Sequence, residues 1–205
     1  MRSNRLRALA AFWLMAAAVL AAGQAPLRRD AEQLKQKIAS INQRGAINQG
    51  GAIRAAERVS TTVTEQEVNA YLAFEAANDL PAGVVDPSVS MLGTDRVTAR
   101  AVVDLDEVRQ QRAPTGLLDP MRYLRGRLMV KATGIVQARD GVARLQFESA
   151  DIAGVPIPKL LLQQIVSHYS RSPARPSGIS LDDPLALPAS ILEIQVKLRQ
   201  AIVVQ

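Results

Sequence analysis

The sequence predicts an α+β domain, a long curved antiparallel β-sheet wrapped around one or two helices and preceded by an N-terminal helix. Three observations lead there. Apolar and polar residues alternate through RVTARAVVDLD and again on both sides of Asp140-Gly141, which is the period of a strand with one face wet. An Asp-Gly pair between two such segments is a hairpin turn, so neighbouring strands run antiparallel. Stretches near 27–43, 64–76 and 158–169 instead repeat apolar residues every three or four positions, the stripe of an amphipathic helix.

The chain opens with MRSNRLR, then the apolar ALAAFWLMAAAVLAAG. Arginines before a short apolar run, with Ala21 and Gly23 as small residues at a cleavage site, form the signal-peptide pattern, so residues 1–23 are expected to be a signal peptide. The run falls short of the roughly 20 apolar residues of a transmembrane helix; a retained N-terminal anchor is the alternative. The expected location is outside the cytoplasm, in the periplasm or cell envelope. No cysteine is present, which excludes a lipid-modified N-terminal Cys and leaves the domain to be held by its core alone. Subtracting Arg2, Arg5 and Arg7 from the formal charge of +6 leaves +3 on residues 24–205. That balance, with no run of Lys/Arg interleaved with aromatics, gives no case for nucleic acid.

Residues 24–52 read as an amphipathic helix followed by a Gly-rich linker, and 53–205 as the α+β domain. In the helix Leu27, Ala31, Leu34, Ile38 and Ile41 share one stripe. RGAINQGG, at 44–51, reads as the linker. The next stretch, VTEQEVNAYLAF, sets Glu65 and Glu67 beside Asn69 and Tyr71 and so imitates an active site. Thr64 with Glu67 is, however, a capping box, and Glu65 sits where a helix dipole favours a carboxylate. The stretch is a helix start, with Val68, Tyr71, Leu72 and Ala76 facing inward.

VVDPSVSML and RVTARAVVDLD form the first hairpin, turning through Gly93-Thr94-Asp95; Pro87 marks an edge or a bulge. A looser connection, EVRQQRAPTGLLDPMRYLR, carries a helical turn. The second hairpin joins GRLMVKATGIVQA to VARLQFESADI, and GVPIP ends it. Pro158 then opens a helix whose buried side is Leu161, Leu162, Ile165, Val166 and Tyr169. A loop, RSPARPSG, leads to a terminal strand pair, ILEIQVKL and AIVVQ, around Arg199-Gln200. Strands of about ten residues span roughly 33 Å, long enough that the sheet is expected to curl.

Reactive chemistry is scarce. His168 is the only histidine, no G-x-S-x-G elbow occurs, and Cys/His zinc ligation is out of reach, so no catalytic residue and no metal site are assigned. Asp104, Asp106 and Glu107 could weakly hold a hard cation, but a solvated strand end is the simpler reading. Asp182-Asp183 before Pro184 is a turn. Without a P-loop or a G-x-G-x-x-G fingerprint, no nucleotide or other cofactor is expected. The reading is of a protein that is not an enzyme; hydrolysis through His168 is the remote exception.

The inward face is rich in Ala and Val, and Phe74 and Phe147 are the only phenylalanines after residue 23. Short side chains on a curled sheet either pack tightly on its helices or leave an apolar groove. In the second case Val97, Ala99, Ala101, Val103, Leu128, Val130, Ala132, Val136, Leu145 and Phe147 would meet acyl chains, with Leu161, Leu162 and Ile165 from the helix. Arg100 or Lys131 would meet a head group.

TEQEVNAYL, LPAGVVDPSVSML and RVTARAVVDLD, with VPIPKLLLQQIV and ILEIQVKLRQAIVVQ, resemble a pattern of exported or singly anchored bacterial envelope proteins. The resemblance, over about 57–205, is to the tubular lipid-binding group and to its phospholipid-binding lipomannan-elongation family in particular. It implies a long curved antiparallel sheet wrapped around a helix, enclosing a lipid groove, with lipid or another apolar ligand as partner. The chain is short for a full tubular module, which points to a shallow groove. The alternative is a structural or adaptor protein that engages an envelope partner through the 27–43 helix; either reading allows a membrane-proximal position.

Overall fold

A computed structural model describes residues 26–47, 58–76, 80–81, 83–110, 126–169, 171, 176–178 and 180–205. The expected signal peptide at 1–23, residues 48–52 of the expected linker and residues 111–125 of the long connection lie outside the described residues, as do the side chains of His168 and Tyr169. The architecture is α+β, with an antiparallel sheet of nine strands, an N-terminal helix and no barrel closure. Helix α1 covers 26–47. After it come β1 (Ser60–Thr64), α2 (Glu65–Phe74), β2 (Val84–Gly93), β3 (Arg96–Asp104) and α3 (Leu105–Gln110). β4 (Arg127–Arg139), β5 (Val142–Ile152), β6 (Val155–Pro156) and α4 (Lys159–Tyr169) follow, and β7 (Leu185–Ala186), β8 (Glu193–Lys197) and β9 (Gln200–Val204) complete the chain.

Strands run in the order β1-β9-β8-β4-β3-β2, and β5 pairs with β4, β6 and β7. Pro87 does what a strand proline can do: β2 lies at the sheet edge and its register slips between Val85 and Ser88. The sheet curls, because the end of β2 reaches the β8–β9 turn through a Leu92–Leu198 bridge. A fork between β4 and β8 is filled by the tip of the β2–β3 hairpin. There the Asp95 N–H donates to the Val196 carbonyl at 3.0 Å, its own carbonyl accepts from Val136 N–H at 2.8 Å, and its carboxylate accepts from Val196 N–H at 2.9 Å.

Four differences from the sequence reading have physical causes. First, α1 runs on through Gly45 to residue 47, where a linker was expected. Gly45 is buried, and a Cβ there would come within 2.5 Å of the Ala189 backbone, so the glycine permits close approach and not flexibility. Second, β1 was not anticipated; it is too short to show a period, and its pairing with β9 lies far away in sequence. Third, Thr98, assigned to the wet side, is buried and meets Thr133 across the strands at 2.9 Å between hydroxyls. Fourth, Leu161, assigned to the buried side of the last helix, is 48% exposed.

The core gathers at the α1 end. Leu34 and Ile41 of α1 pack with Val63, Ile191 and Val203, and Ile38 joins them. Beside them Met91, Val196 and Ala201 form a second cluster under Val68 of α2. The expected capping box is present, with Thr64 as N-cap and reciprocal bonds to Glu67. Each polar residue of the stretch has a structural partner. Glu65 accepts from Met91 N–H at 2.6 Å, Glu67 accepts from Lys37 at 2.6 Å, and the Asn69 amide bonds both Val89 N–H and Val89 C=O at 2.7 and 2.8 Å. Asn69 thus supplies at the free edge of β2 what another strand would supply. Asn69→Ala strips both bonds and should cost about 2 kcal/mol, read as a lower urea midpoint at unchanged m-value.

Candidate functional site: an apolar sheet face

In an antiparallel pair, directly opposed residues share a face. Val97, Ala99, Ala101 and Val103 oppose Gly134, Ala132, Val130 and Leu128. Across the other edge of β4, Val136 opposes Leu145, and Gly134 opposes Phe147 past a bulge that leaves Glu148 as the extra residue. All ten strand candidates therefore lie on one face. The face continues through Ala138, opposite Ile194, into the positions covered by α1 and α2.

Along that face burial is uneven. Under the helices Val63, Met91, Val196, Ala201 and Val203 are buried. Away from them none of the candidates is buried: Ala99 and Leu145 are exposed and the other strand members are half-buried. There Leu145 is 37% exposed and Phe147 half-buried, and neither belongs to the clusters packed under α1 and α2. Leu162 and Ile165 of α4 are half-buried, whereas Leu160 and Leu161 are 73% and 48% exposed. Alternation and register create the surface; the two N-terminal helices cover only part of it.

Arg100 and Lys131 do not join this surface. They oppose each other on β3 and β4, one position out of phase with the apolar set, so their side chains project from the other face. A head group attached to chains lying on the apolar face is out of their reach. Two clefts also lie away from the apolar set. One is bounded by Thr94, Gln137, Arg139 and Arg144, the other by Arg58, Arg139 and Glu193.

Asp104 is a helix cap. Its carboxylate accepts from Asp106 N–H and Glu107 N–H and takes the Arg127 guanidinium at 3.0 Å. The Arg127 hydrogen bond, with help from those backbone donors, holds its carboxyl below the usual range. Asp106 accepts from Gly126 N–H, so the acidic run is engaged in starting α3. Among the described residues no group of His, Cys, Asp and Glu is placed to hold a metal ion. Among them, too, no helix is long and apolar enough to cross a membrane. Asp182, in the expected turn, pairs with Lys159 at 2.5 Å.

Comparison with known proteins returns no matching family model, no matching curated protein and no matching solved structure.

Proposed function

We propose that this is an exported, non-enzymatic protein of the periplasm or cell envelope that binds lipid acyl chains on the open part of its apolar sheet face. The observation that carries the reading is the contrast along that face: ten apolar residues brought together by strand register, none of them buried, beside a helix-covered end that is. An apolar face left partly open in this way is the kind of surface that marks interaction sites in soluble domains. Each methylene laid against it contributes about 0.8 kcal/mol, so a chain of ordinary length binds without any reactive group. The signal-type N-terminus and the resemblance to tubular lipid-binding proteins support the same reading. Arg100 and Lys131 take no part in holding the chain.

An adaptor acting through α1 has less apolar surface to offer a partner, because Ala31, Leu34 and Ile41 of its stripe are buried in the domain while Leu27 is exposed.

Ala101 and Val130 face each other at the middle of the open surface. Ala101→Glu and Val130→Glu should each weaken binding of a fluorescent fatty acyl probe by about tenfold or more, since a carboxylate must be desolvated under the chain. Being half-buried, both should shift thermal stability by no more than about 1 kcal/mol. Arg100→Gln, on the opposite face, should leave the titration unchanged. Equal probe affinity in all three variants would remove the assignment.

A further inference from the structure

The opposite face carries a second feature, independent of lipid binding. Two clefts, of about 620 and 420 Å³, flank the β4–β5 turn and share Arg139 and Asp140 as walls. Their size is that of small-molecule sites. Ile135 and Val142 give the first an apolar floor, and Thr94, Gln137 and Arg144 add polar groups around it. The second adds Arg58 from the chain preceding β1.

Arg139 lines both clefts, Arg144 the first and Arg58 the second, and among the described residues none of the three has an ion-pair partner. Two of the neighbouring carboxylates are occupied elsewhere: Asp95 accepts from Val196 N–H and Glu193 from the Gln195 amide. Asp140 remains as an acceptor beside the guanidiniums. Such a set matches a ligand with a dianionic group for the arginines and hydroxyls for Asp140, Gln137 and Thr94.

The walls are fixed in advance. Asp140 and Gly141 sit at φ of 53° and 75°, and the turn is tied down by Gly141 N–H to Leu192 C=O at 2.9 Å and Leu187 N–H to Gly141 C=O at 2.8 Å. On the facing side Thr94, at φ 52°, holds a left-handed conformation that a β-branched residue rarely adopts. Next to Arg58, Val59 and Gln205 exchange both backbone bonds at 3.1 and 3.0 Å. These bonds fix the backbone of the walls, while the exposed arginine side chains stay free to adjust to a ligand.

We propose that the first cleft, beside Arg139 and Asp140, binds a phosphorylated sugar, with Arg139 and Arg144 on the phosphate and Asp140, Gln137 and Thr94 on the hydroxyls. Isothermal titration of the full chain at low salt with glucose 1-phosphate should give a Kd at or below about 1 mM. Inorganic phosphate should bind about tenfold more weakly, and glucose should give no heat. Arg139→Gln and Arg144→Gln should each weaken the sugar phosphate by about tenfold, with Arg144→Lys recovering part of the loss and circular-dichroism melting unchanged. Val130→Glu, on the other face, should leave this binding intact, so the two sites succeed or fail separately. The proposal is overturned by silence with glucose 1-phosphate, by inorganic phosphate binding as tightly as the sugar phosphate, or by full affinity in the Arg139→Gln/Arg144→Gln double variant.

Discussion

Replacing Leu34 and Ile41 of α1 together by alanine is expected to remove about 5 kcal/mol of stability, so that helix and sheet melt together at a much lower temperature. Both side chains are buried against Val63 of β1, Val203 of β9 and Ile191 just before β8, residues from opposite ends of the described chain. Each truncation should cost about 2–3 kcal/mol in lost transfer energy and cavity. The two sites lie roughly 10 Å apart along the helix but share one cluster, so the combined loss is about 5 kcal/mol without being a strict sum. Domains of this kind are stable by only about 5–15 kcal/mol. Far-ultraviolet circular dichroism should therefore show loss of strand signal along with helix signal. An independent helix, docked to a partner and not to its own sheet, would leave the strands intact. The same packing means that removing 26–47 destroys the fold, so such a deletion cannot separate lipid binding from partner binding.

The second large effect is expected at Glu67. Its side chain is only 7% exposed, and it holds three elements at once, taking Lys37 of α1 at 2.6 Å and Thr64 N–H at 2.8 Å while Thr64 caps α2 in return. Glu67→Ala breaks the capping box and leaves Lys37 without its counter-charge, at a cost of about 3 kcal/mol. Burial pushes the Glu67 carboxyl up, but the Lys37 hydrogen bond and the Thr64 backbone bond together outweigh it and leave the pKa lowered. The folded state then binds fewer protons than the unfolded state in mild acid. This contribution is complete above the ordinary carboxylate range and is lost as the pH falls through the lowered pKa of Glu67. Thermal melts across that window should drop more steeply for the natural chain than for Glu67→Gln, which has no charge to lose. Parallel curves would show that the pair does not lock α1.

Local signals were legible where one face of an element is wet and its register is set by a short turn. The Asp140-Gly141 hairpin, the capping box and the edge position of Pro87 all follow from a few adjacent residues. Phase along β3 and β4 was legible too, which is why the ten apolar candidates fall on one face. What phase cannot say is which part of a face a distant helix will cover. α1 lies over the β1–β9–β8 end, so the same alternation produces buried residues there and open ones at Ala99. Arg100 and Lys131 were paired with the wrong face for a related reason, since proximity in sequence to the apolar set is proximity across the sheet. The arginine clefts gave no local signal, because Arg139 and Arg144 of one hairpin meet Thr94 and Arg58 only through the fold.

Under the proposed function, the open part of the sheet face is a seat for hydrocarbon. Native mass spectrometry of protein purified from membranes-containing lysate without detergent tests it most directly. The account predicts a population heavier than the bare chain by the mass of one lipid, present in the natural sequence and in Arg100→Gln but lost from Val130→Glu. A single bare mass in the natural sequence, still bare after incubation with phospholipid vesicles, would contradict it.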